Sequence, residues 1–253
     1  MKNSKETNIF VEKLTEIEST NKYLAEQCAK GNIEEFHTVT TEFQTSGKGQ
    51  RGNSWESEAG RNLLFSLVLY PTALEAKQQF YISMLVATSI VGALSDYTEG
   101  FTIKWPNDIY WHDKKIAGIL IENILDGKYI SQSIIGIGLN VNQTEFHSSA
   151  PNPVSLAQIT GKEFDREELL KKNLHSIVAG YLGLEQDVPG IREVISMLYR
   201  QKLYRRNGFY TYQDATGEFR AELHEIGSDG HLFLKDTEGN IRRYAFKEVS
   251  YIL

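Results

Sequence analysis

A nearly unbroken apolar run at residues 62–70, NLLFSLVLY, constrains the fold of this chain more than any other stretch. Pro71 ends the run, which is typical of a strand that is buried on both of its faces. Apolar residues recur at helical spacing in three later segments, at 78–97, 166–186 and 191–203. The sequence therefore predicts an α+β domain built around a well-covered sheet.

Further helix and strand signals flank this run. Residues 19–31, STNKYLAEQCAKG, have the pattern of a short helix that Ser19 or Thr20 caps and Gly31 ends. Residues 36–44, FHTVTTEFQ, are rich in β-branched and aromatic types and predict a strand that runs into a glycine-rich loop. Three more strand-like runs are FTIKWPNDIYW (101–111), KKIAGILIEN (114–123) and YISQSIIGIGLNVNQ (129–143), the first two joined by the turn HDKK.

The pattern changes near residue 203. Beyond it, short alternating strands are separated by turns of glycine, aspartate and asparagine, which resembles a small β-barrel. We therefore expect two domains, an α+β domain at 1–203 and an all-β domain at 204–253.

Composition limits the kinds of partner. With 253 residues, a net charge of -6 and a pI near 5.6, the chain is not expected to carry a broad basic surface for nucleic acid, although a local basic pocket is allowed. Cys28 is the single cysteine and has no internal disulfide partner, which suits a reducing compartment. Residues 78–95 are apolar but interrupted by serine, threonine and glycine, so we expect no membrane span. These features predict a cytoplasmic protein.

Three glycines in GKGQRGNSW, residues 47–55, form the pattern G-x-G-x-x-G at Gly47, Gly49 and Gly52. A dinucleotide site of the Rossmann type requires a helix directly after the glycines, but a turn-rich segment and a strand follow here. A kinase loop is excluded because the chain has neither an H-R-D nor a D-F-G triplet. A plain hairpin turn stays open as the alternative to a ligand-binding loop.

The residues beside these glycines favour a ligand-binding loop. Glycines let the backbone turn its N–H groups toward an anion, and Lys48 and Arg51 add positive charge next to them. Trp55 supplies an apolar plane at the far end of the segment. The segment is therefore suited to wrapping around a phosphate.

The motif KWPND, residues 104–108, places an amide and a carboxylate at a strand end. Asp108 is able to carry Mg²⁺ and Asn107 to bond a nucleotide, but both side chains are equally typical of a capped turn. Lys115 opens the returning apolar strand, whose neighbours would draw its stem inward. A solvated turn lysine stays the alternative.

The strand-like run IIGIGLNVN, residues 134–142, has two unlike faces because side chains alternate along a strand. One face is apolar, with Ile135, Ile137, Leu139 and Val141, and the other carries Gly136, Gly138, Asn140 and Asn142. The second face suits a flat ligand that lies against the backbone while Asn140 hydrogen-bonds one edge. Close packing onto a helix would explain the glycines but not the asparagines.

Some catalytic patterns are missing from the sequence. The six histidines show no metal-ligand spacing, and there is no G-x-S-x-G elbow. Cys28 lies in a predicted helix with an apolar side, which is more typical of packing than of a nucleophile. We therefore expect a chemistry that uses no nucleophile from the protein.

Four motifs in one order resemble those of biotin protein ligases. They are ESTN at 18–21, Gln44 followed by GKGQRGNSW at 47–55, KWPNDIYWHDKKIAGILIE at 104–122, and GIGLNVN at 136–142. The resemblance spans nearly the whole chain, since the ending FKEVSYIL is similar to the family's small SH3-like C-terminal domain. It implies a class II synthetase-like catalytic domain, with a central mixed or antiparallel sheet and flanking helices.

The resemblance implies a two-step ligase reaction, that of a biotin–[acetyl-CoA-carboxylase] ligase. Biotin attacks ATP to give biotinyl-5'-AMP, and a specific lysine of a biotin carboxyl carrier protein then takes the biotinyl group. Larger relatives carry an N-terminal helix-turn-helix, but the STN motif begins at residue 19 and leaves no room for one. We therefore expect a monofunctional ligase that binds no nucleic acid, as a monomer or a homodimer.

The resemblance also implies roles for individual residues. Biotin contacts are implied for Ser19, Thr20, Asn21, Gln44, Gly47, Lys48, Gly49, Gln50, Lys115, Gly118 and Gly136. Nucleotide contacts are implied for Arg51, Trp55, Asn107 and Asn140, catalysis for Lys115 and Lys48, and Mg²⁺ binding for Asp108.

The loop departs from the family pattern at two positions. Many relatives carry arginine where this chain has Lys48 and Gln50. Lysine keeps the charge but loses the bidentate fork, and glutamine loses the charge. Whether Gln50 contacts biotin through its amide or Arg51 replaces it stays open.

Two other functions also stay open. A lipoate ligase or octanoyl transferase has the same catalytic architecture and modifies a carrier lysine, although the STN motif and the glycine loop favour biotin. A non-catalytic biotin sensor would bind the vitamin without turnover.

Overall fold

The computed structural model describes residues 8–31, 33–49, 54–147 and 152–252, and two sheets lie within these ranges. The larger sheet contains β1 (Val11–Ile17), β2 (Thr38–Gln44), β3 (Leu63–Leu69), β4 (Phe101–Lys104), β5 (Asp108–Trp111), β6 (Lys114–Asp126) and β7 (Tyr129–Leu139). The smaller sheet contains β8 (Tyr210–Asp214), β9 (Gly217–Ile226), β10 (Leu232–Asp236), β11 (Ile241–Tyr244) and β12 (Ser250–Tyr251). The helices are α1 (Thr20–Lys30), α2 (Phe80–Ser95), α3 (Leu156–Thr160), α4 (Arg166–Glu185) and α5 (Ile191–Gln201).

The larger sheet is mixed, in the order β1-β2-β3-β7-β6-β5-β4. Strands β1 and β2 are parallel, and every other neighbouring pair is antiparallel. All seven residues of β3 are buried, as the apolar run predicted. The expected α+β class with a mixed sheet is confirmed.

Helices cover both faces of this sheet. Phe65 and Ile135 belong to a core that the sheet shares with α2, α4 and α5. On the opposite face, Leu24 of α1 packs with Val68 and Ile134. No helix in the described part of the chain combines the length and the apolar character that crossing a lipid bilayer requires.

The structure confirms the predicted helix near residue 20 but assigns its cap differently. Ser19 is the N-cap residue and is extended, yet its side chain makes no capping hydrogen bond. The first backbone N–H, that of Thr20, instead donates to Oε1 of Gln44 over 2.7 Å. The end of β2 therefore satisfies the start of α1 and joins two of the predicted site motifs.

The run FTIKWPNDIYW was predicted as one strand, and this was wrong. It forms the hairpin β4–β5, with a turn at 105–107. Pro106 has no N–H to give to a strand ladder, which is the physical reason for the break. Two elements, strand β1 and the short helix α3, gave no sequence signal that we recognised.

The smaller sheet is antiparallel, in the order β11-β10-β9-β8-β12, and is consistent with an SH3-like domain. It packs against the β4–β5 turn. Nε1 of Trp105 donates to the carbonyl of Gly230 over 2.9 Å, and the rings of Trp105 and Phe246 meet edge to face at 6.0 Å. The KWPND motif is thus held from both sheets.

Candidate active site

A cavity of about 550 Å³ lies on the α1 face of the larger sheet. Most of the residues that sequence reasoning selected line it, namely Ser19, Thr20, Asn21, Gln44, Lys48, Gly49, Trp55, Asn107, Asp108, Lys115, Gly118, Gly136 and Asn140. Gly47 lies beside it, where its carbonyl accepts a hydrogen bond from the backbone N–H of Trp55 over 2.9 Å. Gln50, Arg51 and Gly52 lie outside the described residues.

One end of the cavity is formed by the first residues of α1. Ser19, Thr20 and Asn21 are each less than 5% exposed, although all three are polar. Oε1 of Gln44 accepts from the backbone N–H of Thr20 and lies 3.2 Å from its hydroxyl oxygen. Buried polar groups are retained when they are hydrogen-bonded, so this end is built to present fixed donors and acceptors.

Asn21 lies directly against Gly136 of β7. A Cβ added at Gly136 would stand 2.8 Å from Cγ of Asn21, closer than real Cβ atoms approach. Any larger residue would therefore push the amide away. This contact explains why the GIGLNVN motif has a glycine at 136: the amide of a residue in helix α1 occupies the space where a Cβ would lie.

The indole of Trp55 lies over the other glycines of the cavity lining. A Cβ at Gly118 would stand 2.9 Å from Cζ3 of Trp55, and one at Gly138 would stand 2.6 Å from its Nε1. The indole is partly exposed, but its Nε1 is buried and its N–H has no hydrogen-bond partner among the described residues. The indole of the chain itself therefore lies on the glycine face, where the alternation in the sequence predicted a flat ligand.

The loop that carries Trp55 is closed at its base. Lys48 and Ser54 form an isolated antiparallel bridge, and Trp55 N–H bonds to the carbonyl of Gly47. The two ends of the glycine motif are thus held together at the cavity, where Lys48 and Gly49 are part of the lining.

Lys115 and Asp108 form an ion pair in the middle of the site. Nζ of Lys115 lies 2.7 Å from Oδ1 of Asp108, and the side chains are 24% and 32% exposed. The ammonium group also lies 5.6 Å from the centre of the Trp55 ring. The alternative of a solvated turn lysine does not hold, because a carboxylate and an indole fix the direction of this cation.

Two buried asparagines line the far end. The amide of Asn107 donates to the carbonyl of Ile119 and so ties the β4–β5 turn to β6. Asn140 donates to the carbonyl of Val154 over 3.2 Å, while its own Oδ1 is buried and accepts no hydrogen bond from the described residues. Oδ1 of Asn140 is therefore a buried acceptor, in a residue of the cavity lining, that has no partner among the described residues.

Asn142 does not share this position. Its side chain donates to the carbonyl of Phe164 over 2.9 Å and accepts from the N–H of Phe164 over 3.0 Å. This amide anchors a loop, although the sequence pattern grouped it with Asn140. Cys28 packs in the small core under α1, consistent with the expected packing role.

Several residues of the cavity lining were not selected from the sequence. Among them are Lys104 and Tyr110 from the β4–β5 hairpin, and Phe246 and Lys247 from the smaller sheet's domain. Lys104 is the first residue of the KWPND motif, and of these four residues it is the one that the sequence could have indicated. Phe246 and Lys247 lie about 140 residues further along the chain, and no local pattern connects them to this site.

Lys104 lies in an aromatic environment. Its Nζ is 3.1 Å from the hydroxyl of Tyr110 and 5.1 Å from the centre of the Tyr251 ring. Burial lowers the pKa of Lys104, while the nearby Asp108 carboxylate acts in the opposite direction. Burial also raises the pKa of Tyr110, so the phenol stays neutral.

The cavity is positive although the chain is acidic. Its described lining contains four lysines and two carboxylates, a formal charge of +2, against -6 for the whole sequence. The lysines are Lys48, Lys104, Lys115 and Lys247, and the carboxylates are Glu56 and Asp108. Positive charge focused in a cleft raises the local concentration of anions, so the site is suited to an anionic ligand.

Known proteins resemble this chain in sequence and in fold. The Bacillus subtilis bifunctional ligase/repressor BirA is 32% identical over 157 residues, covering 60% of this chain and 48% of that protein. A biotin–[acetyl-CoA-carboxylase] ligase of Paracoccus denitrificans is 35% identical over 138 residues, covering 52% of this chain and 57% of that one. The aligned part of the chain thus spans about half the length of these relatives.

A solved structure extends the likeness to nearly the whole chain. The biotin protein ligase from Aquifex aeolicus in complex with biotin and ATP superimposes with a TM-score of 0.79 and 27% identity, covering 95% of this chain and 97% of that one. A model of the biotin/lipoate A/B protein ligase family matches residues 14–140, which are 127 of the 253 residues. That range runs from β1 through the glycine loop to the end of β7, and this chain belongs to the biotin/lipoate A/B protein ligase family.

Proposed function

We propose that this chain is an ATP-dependent biotin protein ligase. The carboxylate of biotin attacks the α-phosphate of ATP, which yields biotinyl-5'-AMP and pyrophosphate. The amine of a specific lysine on a biotin carboxyl carrier protein then attacks the activated carbonyl carbon and releases AMP. Because ATP supplies the activation, the reaction needs no nucleophile from this chain.

The observation that carries this proposal is a cavity with two chemically different ends joined by glycines. Asn21 lies over Gly136, and Trp55 lies over Gly138, two residues further along β7. Two residues of a strand span about 7 Å. The hydrogen-bonding end at α1 and the Trp55 ring, beside which Lys115 lies at 5.6 Å, are therefore about one small molecule apart, as two joined substrates require.

We assign the α1 end to the ureido ring of biotin. Thr20, Asn21 and Gln44 present fixed hydrogen-bonding atoms there, and a cyclic urea offers both N–H donors and a carbonyl acceptor. The remaining proposed biotin contacts are Ser19, Gly47, Lys48, Gly49, Gln50, Lys115, Gly118 and Gly136. This assignment is supported by a similar ligase from Aquifex aeolicus solved with biotin and ATP.

We assign the opposite end to the nucleotide. The unpaired Oδ1 of Asn140 supports this assignment, because a buried acceptor without a partner would be satisfied by an amino or hydroxyl group. The indole of Trp55 offers a flat apolar surface beside it. Asn107 and Arg51 complete the proposed nucleotide contacts.

Lys115 is the proposed catalytic cation, with Lys48 assisting. Bringing a carboxylate to a phosphate concentrates negative charge, and a preorganised cation relieves the repulsion without reorganising at the moment of reaction. Loss of one such contact typically raises the barrier by about 3–4 kcal/mol. Asp108 holds Lys115 in place at 2.7 Å, so the charge is oriented before substrates bind.

Mg²⁺ fits this site as a metal held mainly by its substrate. The described residues contain no cluster of three His, Cys, Asp or Glu side chains that would hold a metal on its own. Asp108 offers one carboxylate, and Mg²⁺ commonly binds one or two carboxylates together with phosphates and water. When bound, the ion would neutralise charge on the departing pyrophosphate, with Asp108 as its proposed protein ligand.

The setting of the reaction is also a proposal. We place the domain division at 203/204 and the protein in the cytoplasm, where the single Cys28 would stay reduced. The carrier is proposed to be the carrier domain of a biotin-dependent carboxylase. Independence from DNA and a monomeric or homodimeric state stay predictions.

Biotin-dependent exchange of pyrophosphate into ATP tests the function directly. Purified protein with Mg²⁺, ATP, labelled pyrophosphate and biotin is expected to form labelled ATP, and a carrier domain added without pyrophosphate is expected to become biotinylated. Lipoate is offered in parallel, since the family includes lipoate ligases. If exchange occurs with lipoate but not with biotin, the protein is a lipoate ligase. If the protein binds biotin but catalyses no exchange, it is a biotin sensor.

A further inference from the structure

Behind the α1 end of the cavity lies a buried serine in the middle of β3. Ser66 is 0% exposed, although it stands within the apolar run LLFSLVL. Its hydroxyl oxygen lies 2.7 Å from that of Thr20 and 2.6 Å from Oδ1 of Asn21. The single hydroxyl of Ser66 thus contacts two of the proposed biotin-binding residues, Thr20 and Asn21, on the side away from the cavity.

The orientation of the Asn21 amide is fixed by its other partners. Nδ2 lies 2.8 Å from the Glu122 carboxylate and 3.3 Å from the carbonyl of Leu120, and both of these groups only accept. The NH₂ group must therefore face β6. Oδ1 consequently faces Ser66 and can only accept.

This orientation fixes the hydroxyl protons in turn. Ser66 has one proton, and the acceptor Oδ1 of Asn21 takes it. The contact between Ser66 and Thr20 then needs the proton of Thr20, because otherwise two lone pairs would face each other at 2.7 Å. The hydrogen bonds run in one direction, from Thr20 to Ser66 to Asn21 to Glu122.

The reverse arrangement is disfavoured by Gln44. If Thr20 donated to Oε1 of Gln44 instead, that bond would be 3.2 Å long, and the same oxygen already accepts the Thr20 backbone N–H at 2.7 Å. Ser66 would then face two acceptors, the hydroxyl oxygen of Thr20 and Oδ1 of Asn21, with only one proton to donate. The one-directional chain gives each hydroxyl proton its own acceptor, and only the longer 3.2 Å contact between Thr20 and Gln44 is left without a proton.

We propose that Ser66 is a positioning residue that fixes the hydroxyl of Thr20 as a hydrogen-bond acceptor toward the cavity. The ligand group at this point must then be a donor, such as a ureido N–H, and a group that can only accept is rejected. This inference rests on the proposed function, because it states how a biotin site would be made selective. Ser66 itself does not line the cavity.

Biotin binding by Ser66→Ala tests the proposal, with Ser133→Ala as the matched control. Ser133 is also 0% exposed, lies on neighbouring β7, and donates to Asn123. Each variant is titrated with biotin and with the two analogues that are methylated on one ureido nitrogen. Wild type is expected to prefer biotin over at least one analogue, and Ser66→Ala is expected to bind biotin about 5- to 10-fold more weakly.

Selectivity separates positioning from a general loss of structure. In Ser66→Ala the preference for biotin over the methylated analogue is expected to fall, while the KM for ATP stays within about 2-fold of wild type. Thr20→Val and the double variant are expected to be equally impaired, because the two hydroxyls act as one unit. Ser66→Cys, which keeps the volume and a weak donor, provides an intermediate.

The outcomes are distinct. Wild-type protein that neither binds biotin nor supports exchange overturns the proposed function and this inference together. Wild type that is active, with Ser66→Ala unchanged in affinity and selectivity, overturns the inference alone. A parallel rise of the KM values for biotin and ATP in both Ser66 variants would also overturn it, since that pattern indicates a purely structural serine.

Discussion

The ammonium group of Lys115 lies 2.7 Å from the carboxylate of Asp108, and the two residues come from the facing strands β6 and β5 of one hairpin. Such a pair is pre-oriented because sheet backbone fixes both Cα atoms. An exposed pair contributes little to stability, and these side chains are about a quarter and a third exposed. We therefore expect the pair to matter more for catalysis than for folding.

Replacing Lys115 tests this expectation. Lys115→Ala is expected to reduce biotin-dependent pyrophosphate exchange by about 100- to 1000-fold, since it removes a preorganised charge. Lys114→Ala, the exposed neighbour at the start of β6, is the control and should keep normal exchange. Circular dichroism and thermal unfolding check that both variants are folded. Near-normal exchange by Lys115→Ala would contradict the assigned role.

The contact between Gly138 and Trp55 supplies a second prediction. Gly138→Ala introduces a Cβ within 2.6 Å of the indole nitrogen, so the ring must move. We expect the KM for ATP to rise about 10-fold or more, with a change in tryptophan fluorescence. Gly92→Ala in α2 is the control, since nothing lies within 4 Å of its Cβ and alanine is the better helix former. An unchanged KM for ATP in Gly138→Ala would argue against a nucleotide beside Trp55.

Lys247 tests whether the smaller domain takes part in binding. It lines the cavity from the turn before β12, beside the ring of Phe246. Lys247→Ala is expected to raise the KM for ATP about 5-fold and to leave the KM for biotin unchanged, because the phosphates would lose a neighbouring cation. Lys235→Ala, an exposed lysine on β10, should alter neither value. Equal effects of the two substitutions would show that only the net charge matters.

The low pKa of Asp214 leads to a prediction of how the free energy of unfolding depends on pH. Hydrogen bonds from Thr216 and Tyr244 lower the pKa of this carboxyl to about 2. Because the folded pKa lies below the ordinary value of 3.8, the stabilisation is present above that value and is lost as the pH falls through about 2. Asp214→Asn is expected to lower the free energy of unfolding by about 1–2 kcal/mol at pH 7, and by less near pH 2.5.

Urea unfolding at the two pH values measures this difference. The exposed Glu218 of the same β8–β9 hairpin provides the control, and Glu218→Gln should change the free energy by less than about 0.5 kcal/mol at either pH. A loss in Asp214→Asn that is the same at both pH values would contradict the titration argument.

The local pattern of β7 was sufficient to predict which face of this strand lines the cavity. Period-two alternation placed Gly136 and Gly138 on one face, and the structure brings Asn21 and Trp55 onto that face. The apolar run of β3 was also predicted correctly as a fully buried strand. In these two strands the pattern of side chains repeats along a single segment, so the sequence of that segment is enough to predict which faces are buried.

Other features depend on contacts that no single segment encodes. Ser66 was indistinguishable from an ordinary core position, because a strand buried on both faces does not reveal which face meets a polar neighbour. Pro106 is visible in the sequence, yet the hairpin that it creates was missed. Phe246 and Lys247 reach the cavity only because the smaller sheet packs on the β4–β5 turn, a relationship between distant parts of the chain.

The bond from the Trp105 indole to the Gly230 carbonyl has a practical consequence for protein engineering. Gly230 has a φ of 87°, and a Cβ there would stand 2.8 Å from the ring of Phe80. A chimera in which the C-terminal domain of a relative replaces that of this chain must therefore retain glycine at position 230. Otherwise the transplanted module would be displaced from the turn that presents Asn107 and Asp108.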